Sequence, residues 1–109
     1  MSPLVALALA TGLLHGVVMR GPTQPVCYVG EPCSAPAVGV TLVFSRAGHT
    51  TVRVRTRSGG HYSVKLAAGV WNARLPSKPT IGSGMTPRTV RVVAAADRRV
   101  NFFIDTGIR

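Results

Sequence analysis

Apolar and polar residues alternate along the middle of the chain, from residue 38 to residue 75. Short runs with an apolar side chain at every second position are separated by glycine-containing turns at intervals of about ten residues. A period of two is the spacing of a β-strand that buries one face, and close turns join such strands into antiparallel sheets. The pattern therefore predicts a sandwich or a barrel.

Seven strands are predicted, over residues 14–20, 38–46, 50–57, 61–67, 70–75, 88–95 and 99–105. Two proline-rich stretches, 21–36 and 76–87, are expected to be long loops, because proline lacks the N–H that a sheet ladder needs. No run is long enough to nucleate a helix. The side chains expected to face inward are Val40, Leu42, Phe44, Val52, Val54, Tyr62, Val64, Leu66, Trp71, Ala73, Val90, Val92, Val100, Phe102 and Ile104.

Four segments of this pattern resemble a known family: Gly39-Val40-Thr41-Leu42-Val43-Phe44, Thr56-x-x-Gly-Gly-His-Tyr-Ser-Val-x-Leu, Ala68-Gly69-Val70-Trp71 and Val100-x-Phe-x-Ile-Asp-Thr-Gly-Ile-Arg. Over residues 14–109 the chain resembles carboxypeptidase regulatory-like domains, in the form found in small exported actinobacterial proteins. The resemblance implies an all-β, seven-stranded antiparallel Greek-key β-sandwich of the prealbumin-like type, related to Cna-B-type modules. It also implies an accessory role without catalysis.

The two cysteines, Cys27 and Cys33, are separated by five residues. This spacing does not fit a thioredoxin-like redox pair, and two thiols alone do not make a structural zinc site. Gly30 and Pro32 let the segment fold back, so we expect a disulfide that stabilises the fold by roughly 2–3 kcal/mol. A persistent disulfide implies an oxidising compartment. The alternative is a pair of free thiols in a cytosolic loop.

The N-terminal stretch from Pro3 to Leu14 is uncharged and apolar, but it is too short to span a bilayer. Ala8-Leu9-Ala10 has the small-x-small form of a signal-peptidase site, although no basic residue precedes it. Residues 1–13 are therefore predicted to be a signal peptide, with a weak or truncated start, or an apolar tail or first strand. Residues 14–109 are predicted to form one domain that is secreted or held in the cell envelope, with no transmembrane span.

The charge is strongly positive: 13 Lys and Arg residues face three Asp and Glu residues, which gives a net charge of +10. Arg53, Arg55 and Arg57 alternate along one predicted strand, at a spacing of about 7 Å. If strands 50–57 and 61–67 form a hairpin, Lys65 lies on the same face. This basic face is expected to bind phosphates or carboxylates of cell-wall or membrane-surface polymers. The alternative is a solvated surface that also discourages edge-to-edge aggregation.

Catalytic and metal sites are not expected. The only candidate imidazoles are scattered through the sequence: His15, His49 and His61. There is no Gly-x-Ser-x-Gly motif, and zinc needs three or four convergent ligands. An internal isopeptide bond of the Cna-B type is not expected either, because Lys65, Lys78 and Glu31 are badly placed for it.

The sequence thus predicts a monomeric, non-enzymatic surface module with no cofactor, whose partner is an anionic envelope polymer or another envelope protein. The alternative function is carbohydrate binding, which needs Trp71, Tyr62 or Tyr28 exposed as a stacking platform. Nucleic acid is disfavoured as a partner, because the pattern directs the aromatic rings that could stack on bases into the core.

Overall fold

The computed structural model describes residues 11–23, 30, 33–76 and 83–106, and the fold is all-β. A single turn of 3₁₀ helix covers Ser58–Gly60. The strands are β1 (Thr11–Gly21), β2 (Ala35–Pro36), β3 (Thr41–Ser45), β4 (Val52–Arg55), β5 (His61–Ala67), β6 (Gly69–Arg74), β7 (Ser83–Thr86), β8 (Thr89–Val92), β9 (Asp97–Arg99) and β10 (Phe102–Thr106).

The long strand β1 is the centre of the first sheet, sheet I. On one edge it pairs antiparallel with β5 and then with β2, and on the other edge it pairs parallel with β9 and then with β10. β7 adds to the far side of β10. The second sheet, sheet II, is antiparallel throughout and has the order β4–β3–β6–β8. The parallel pairs of β1 correct the prediction of a purely antiparallel fold.

The core lies between the two sheets and is centred on three aromatic rings. Phe44 of sheet II packs against Phe102 and Tyr62 of sheet I, with ring centroids 6.1 and 6.4 Å away. The centroids of Tyr62 and Phe102 are 5.5 Å apart. Tilted contacts at these distances are favourable for aromatic pairs, so the rings join the two sheets directly.

The predicted inward positions are confirmed. Of the fifteen, nine are buried in the core cluster and six are partly buried against it. The buried cluster also contains four residues that the pattern did not assign inward: Leu14, Val18, Ala37 and Met85. The period of two therefore predicted the faces of the strands correctly, whereas β1 and the long loops held further core residues.

The predicted hairpin between residues 50–57 and 61–67 is wrong. β4 pairs with β3 in sheet II, and β5 pairs with β1 in sheet I, so the connection crosses from one sheet to the other. Gly59 and Gly60 have φ values of 75° and 79°, which glycine adopts readily. These glycines make the crossing tight enough to look like a hairpin turn in the sequence.

The strand count and boundaries also differ from the prediction. β2, β7 and β9 lie where loops or a turn were expected, so the described residues form ten strand segments where seven strands were predicted. β1 begins at Thr11, three residues before the expected domain boundary. No described residue belongs to a helix long and apolar enough to cross a membrane.

Candidate anion-binding surfaces

The four residues of the predicted basic face lie on two sheets. Arg53 and Arg55 are exposed on the outer side of sheet II, because the valines that alternate with them pack against the core. Lys65 is exposed on β5, on the outer side of sheet I. Arg57 lies beyond the end of β4 and lines a pocket on sheet I. Because the outer sides of a sandwich look in opposite directions, the four side chains do not form one face.

Sheet II nevertheless presents a larger basic surface than the pattern indicated. Its strand register places Val43 between Arg53 on β4 and Arg74 on β6, and it pairs Val70 on β6 with Arg91 on β8. We call Arg53, Arg55, Arg74 and Arg91 the arginine face. Adjacent strands are about 4.8 Å apart, so Arg53 and Arg74 are about 10 Å apart across the sheet.

No carboxylate interrupts the arginine face among the described residues. The acidic residues in that part of the chain are Asp97 on β9 and Asp105 on β10, and both strands belong to sheet I. The positive charges of sheet II therefore add to one another, as suits a surface for an extended anion.

Val43 is fully buried even though it lies outside the core cluster, on the outer side of sheet II. Its cross-strand partners are Arg53 and Arg74, one on each side. Long basic side chains commonly cover apolar surface with their stems while the charged group stays in water, which is consistent with the burial of Val43 between them.

Thr56 fixes the end of β4 between Arg55 and Arg57. It is only 3% exposed, and its hydroxyl donates a hydrogen bond to the carbonyl oxygen of Ala37 at 2.5 Å. The same hydroxyl accepts one from the N–H of Val40 at 2.9 Å. These bonds hold the end of β4 against the turn before β3. The backbone next to Arg55 and Arg57 is therefore fixed in position.

A second basic surface is concave and lies on the outer side of sheet I. We call it the basic pocket; its volume is about 300 Å³. Its polar lining consists of two arginines, two histidines and a serine: Arg57, Arg99, His15, His61 and Ser63. Gly16, Val17 and Tyr62 complete the lining. Among the residues that the structure describes, no carboxylate lines it.

Strand register brings these side chains together. His15 of β1 is paired with Ser63 of β5 on one edge and with Arg99 of β9 on the other, so the three form a row across the sheet. His61 of β5 is paired with Val17 of β1 in the next row on the same side of the sheet, and both residues line the pocket. The N–H of Arg57 donates to the carbonyl oxygen of His61 at 2.8 Å, which holds Arg57 at the end of β5.

A short interruption between β9 and β10 bonds to residues of β1 and β5 that line the basic pocket. The N–H of Val100 donates to the carbonyl oxygen of His15 at 2.8 Å, and the side-chain oxygen of Asn101 accepts the N–H of Val17 at 3.0 Å. Tyr62 donates its hydroxyl to the carbonyl oxygen of Val100 at 2.6 Å. Desolvation by burial raises the pKa of the Tyr62 phenol, so this group stays a neutral donor.

The aromatic rings named for carbohydrate stacking are not accessible. Trp71 and Tyr62 are each 2% exposed. The indole N–H of Trp71 donates to the carbonyl oxygen of Ala67 at 2.8 Å, and the guanidinium of Arg46 lies 5.9 Å from its ring centroid. Neither ring offers a stacking surface, so both support the core instead. Tyr28, the third ring considered, lies outside the described residues.

Among the residues that the structure describes, no group of three or more His, Cys, Asp or Glu side chains could hold a metal ion. His49 lies apart from the other two histidines, with its ring centroid 5.5 Å from that of Trp71.

Several further predictions fall outside the described part of the chain. Residues 1–10 of the predicted leader lie outside it, as do Cys27, Glu31 and Lys78, whereas residues 11–13 belong to β1. The Cys27–Cys33 disulfide therefore stays a prediction.

Sequence reasoning missed Arg74, Arg91, Arg99 and His15 as parts of basic surfaces. Each lies on an alternating segment, but it gains basic neighbours only through pairing with a strand distant in the sequence. A count of arginines at outward positions of all strands would have indicated the arginine face. Nothing in a single sequence indicated the parallel pairing that creates the basic pocket.

No protein-family model matches the chain, and no curated protein matches it. Solved structures do share its fold. The minor pilin GBS52 of Streptococcus agalactiae is similar with a TM-score of 0.60 at 16% identity, over 88% of this chain and 44% of the pilin chain.

Two other solved structures are similar at the same level. A DUF3823 family protein of Parabacteroides merdae has a TM-score of 0.55 at 18% identity, over 87% of this chain and 46% of its own. The Bacillus anthracis TIE protein has a TM-score of 0.56 at 13% identity, over 87% of this chain and 16% of its own. This chain therefore spans less than half of each of the three proteins. The likeness shows a shared β-sandwich fold, with which the resemblance to carboxypeptidase regulatory-like domains is consistent.

Proposed function

We propose that this domain is an exported, non-catalytic surface module that binds anionic polymers of the cell envelope through the arginine face. The observation that carries the proposal is the position of Arg53, Arg55, Arg74 and Arg91 on three strands of one sheet side, without a carboxylate among the described residues of that side. A location at the surface is supported by the fold shared with part of a minor pilin.

The chemistry of arginine suits such a ligand. A guanidinium group presents several N–H donors in a fixed plane and pairs with phosphate or carboxylate oxygens in a bidentate manner. The separations across sheet II, about 7 Å along a strand and about 10 Å across two strand spacings, suit charges that repeat along a polymer. A flat polymer would contact several arginines at once, so its affinity would come from many weak contacts.

The contribution of each contact is small because the groups are exposed. An exposed ion pair contributes about 0.2–1 kcal/mol. At physiological ionic strength, salt screens the attraction between exposed charges that are more than about 8 Å apart. Binding should therefore be rapid, polyvalent and much weaker at high salt. A solvated arginine surface without a ligand would show no such saturable binding.

The test compares two variants that lose the same charge, one on the arginine face and one on sheet I. The variant R53Q/R74Q alters the arginine face, and R20Q/K65Q removes two exposed charges from sheet I. Binding of each to isolated cell wall and to purified poly(glycerol phosphate) is measured at low salt. Two lost contacts of about 0.7 kcal/mol should weaken the first variant roughly tenfold, while the second variant should stay close to the original protein.

Equal binding by both variants would contradict the proposal, and so would an original protein that binds neither probe at low salt. Preferential binding to a neutral polysaccharide would favour the carbohydrate alternative instead. The melting temperature of R53Q/R74Q should be unchanged or slightly higher, because repulsion between like charges is relieved. This control separates loss of binding from loss of folding.

A further inference from the structure

We propose that the basic pocket is a separate binding site for a phosphomonoester carried on a small polyol. The pocket lies on the outer side of sheet I, and the arginine face lies on the outer side of sheet II. A polymer that lies flat on the arginine face does not reach it. The proposal therefore goes beyond the polymer binding described above and does not depend on it.

The donors of the basic pocket come from four separate segments. Ser63, His15 and Arg99 follow one another across β5, β1 and β9, so the outer two are about 10 Å apart with the imidazole between them. Arg57 enters from the crossing after β4, beside His61. Donors that surround a cavity from several directions match the three free oxygens of a tetrahedral phosphate better than the two coplanar oxygens of a carboxylate.

These side chains are available to a ligand. Among the described residues, no hydrogen bond or ion pair engages the guanidinium groups of Arg57 and Arg99 or the imidazoles of His15 and His61. Both arginines are exposed, so their donors point into solvent at the mouth of the pocket. A phosphate that entered would break no protein hydrogen bond, and its contacts would have to offset the conformational entropy lost when the two arginine side chains become ordered.

The charge around the pocket favours an anion. The nearest carboxylate on this side of the sheet is that of Asp97, which is paired with Leu13 in the row next to Arg99. Lys65 is paired with Leu13 from the other edge, so a positive charge flanks the same row. Asp97 therefore lies one row beyond Arg99, about 7 Å along the strand and on the side away from Arg57. The lining itself carries two permanent positive charges.

The size of the pocket indicates more than a bare phosphate. A volume of about 300 Å³ is at the lower end of the range for small-molecule sites. Gly16 and Val17 supply an uncharged part of the lining, where Tyr62 borders the pocket with its side chain buried in the core. A three-carbon polyol beside the phosphate would fill this part, which identifies glycerol 3-phosphate as a suitable probe.

The experiment titrates the full chain with glycerol 3-phosphate and follows the imidazole signals of His15 and His61 by NMR, with calorimetry in parallel. We expect saturable binding, shifts of both imidazoles and at least a tenfold weaker affinity in R57Q/R99Q. The matched control is R53Q/R74Q, which loses the same charge from the opposite side and should bind within twofold of the original protein. Both arginines of the pocket are exposed, and if the double variant does not fold, His15→Gln is tested by calorimetry and by the His61 signal, with the same loss of affinity expected.

Several results would overturn the proposal. These are no saturable binding, equal binding by R57Q/R99Q, equal binding of glycerol, or equal binding of glycerate, which carries a carboxylate in place of the phosphate. The polymer experiment reports on R53Q/R74Q and the present one on R57Q/R99Q, so either site can fail while the other is confirmed.

Discussion

The hydroxyl group of Tyr62 lies 2.6 Å from the carbonyl oxygen of Val100 and donates a hydrogen bond to it. Val100 lies between β9 and β10, where the parallel ladder with β1 is interrupted, so its carbonyl oxygen takes its partner from a side chain. The same tyrosine packs in the core against Phe44 and Phe102. Tyr62 therefore joins the core to the segment between β9 and β10, next to the basic pocket that it also borders.

Replacing this tyrosine in Tyr62→Phe should keep the packing and remove only the hydrogen bond. We expect the free energy of unfolding to fall by about 1–2 kcal/mol, because the carbonyl oxygen of Val100 is left without its donor. Urea unfolding measures the change. A loss below about 0.3 kcal/mol would show that water satisfies the carbonyl oxygen as well as the phenol does.

The same variant should alter the alkaline stability. Burial raises the pKa of the Tyr62 phenol above its ordinary value of 10.0, so the folded protein keeps a proton that the unfolded chain releases. Its contribution is complete below pH 10 and is lost progressively as the pH rises above that value. Between pH 9 and pH 11, the free energy of unfolding should therefore fall less steeply with pH for Tyr62→Phe than for the original protein. Parallel curves would contradict the assignment.

The alternation in the sequence was sufficient to assign the faces of single strands, but not their partners. Val54 points inward and Arg55 outward on β4, as a period of two requires. Nothing in residues 50–67 distinguishes a hairpin from a crossing between sheets, since both need a tight turn and glycine. The structure shows that Thr56 binds the turn before β3, which keeps β4 in sheet II while the chain crosses to β1.

The basic pocket was still harder to predict, because it depends on a parallel pair between two strands far apart in the sequence. His15 and Arg99 become neighbours only through the register of β1 with β9. The sequence around Asp97 is typical of a turn between two strands. It does not indicate with which edge of β1 this segment pairs. Composition indicated that anions would be attracted, but the position of the site required the topology.

Thr56→Val should be strongly destabilising for its size. The substitution keeps the volume of the buried side chain but removes the hydroxyl that bonds Ala37 and Val40. We expect a loss of about 2–3 kcal/mol in the free energy of unfolding, because two buried backbone groups lose their partner. Thr56→Ser, which keeps the hydroxyl and loses one methyl group, should lose about 1 kcal/mol. The two variants should rank the other way if packing, and not hydrogen bonding, is the role of Thr56.

Trp71→Ala should cost about 3–5 kcal/mol, because it removes a large buried side chain from the core of sheet II. Arg46→Gln should cost about 1 kcal/mol at most, since it removes the guanidinium beside the indole and its 2.7 Å hydrogen bond to the carbonyl oxygen of Ala68. The chain has a single tryptophan, so the emission maximum of Arg46→Gln reports directly on this contact. An exposed indole spectrum in the original protein would refute the burial.

The predicted disulfide between Cys27 and Cys33 is tested by peptide mapping under non-reducing conditions. We expect one bonded pair in protein recovered from outside the cytoplasm, and two alkylatable thiols would refute the pairing. Replacing both cysteines with serine should lower the stability by roughly 2–3 kcal/mol. The sandwich should still fold, since its buried cluster lies in the strands and in Ala37.

Gly60 and Gly48 offer a matched pair for testing the crossing between the sheets. Both have a φ of 79°, so an alanine at either site meets the same backbone strain, about 1–2 kcal/mol. A β-carbon at Gly48 would have no atom within 4 Å, whereas one at Gly60 would collide with the carbonyl oxygen of Val18 and lie 3.3 Å from the side chain of Pro36. Gly60→Ala should therefore lose about 1–3 kcal/mol more than Gly48→Ala in thermal unfolding, because the backbone of β1 has to move. The movement would also disturb Arg57, so glycerol 3-phosphate binding should weaken in Gly60→Ala and stay unchanged in Gly48→Ala. Equal stability of the two variants would show that the crossing does not press against β1, and the close approach of Gly60 to Val18 would then be wrong.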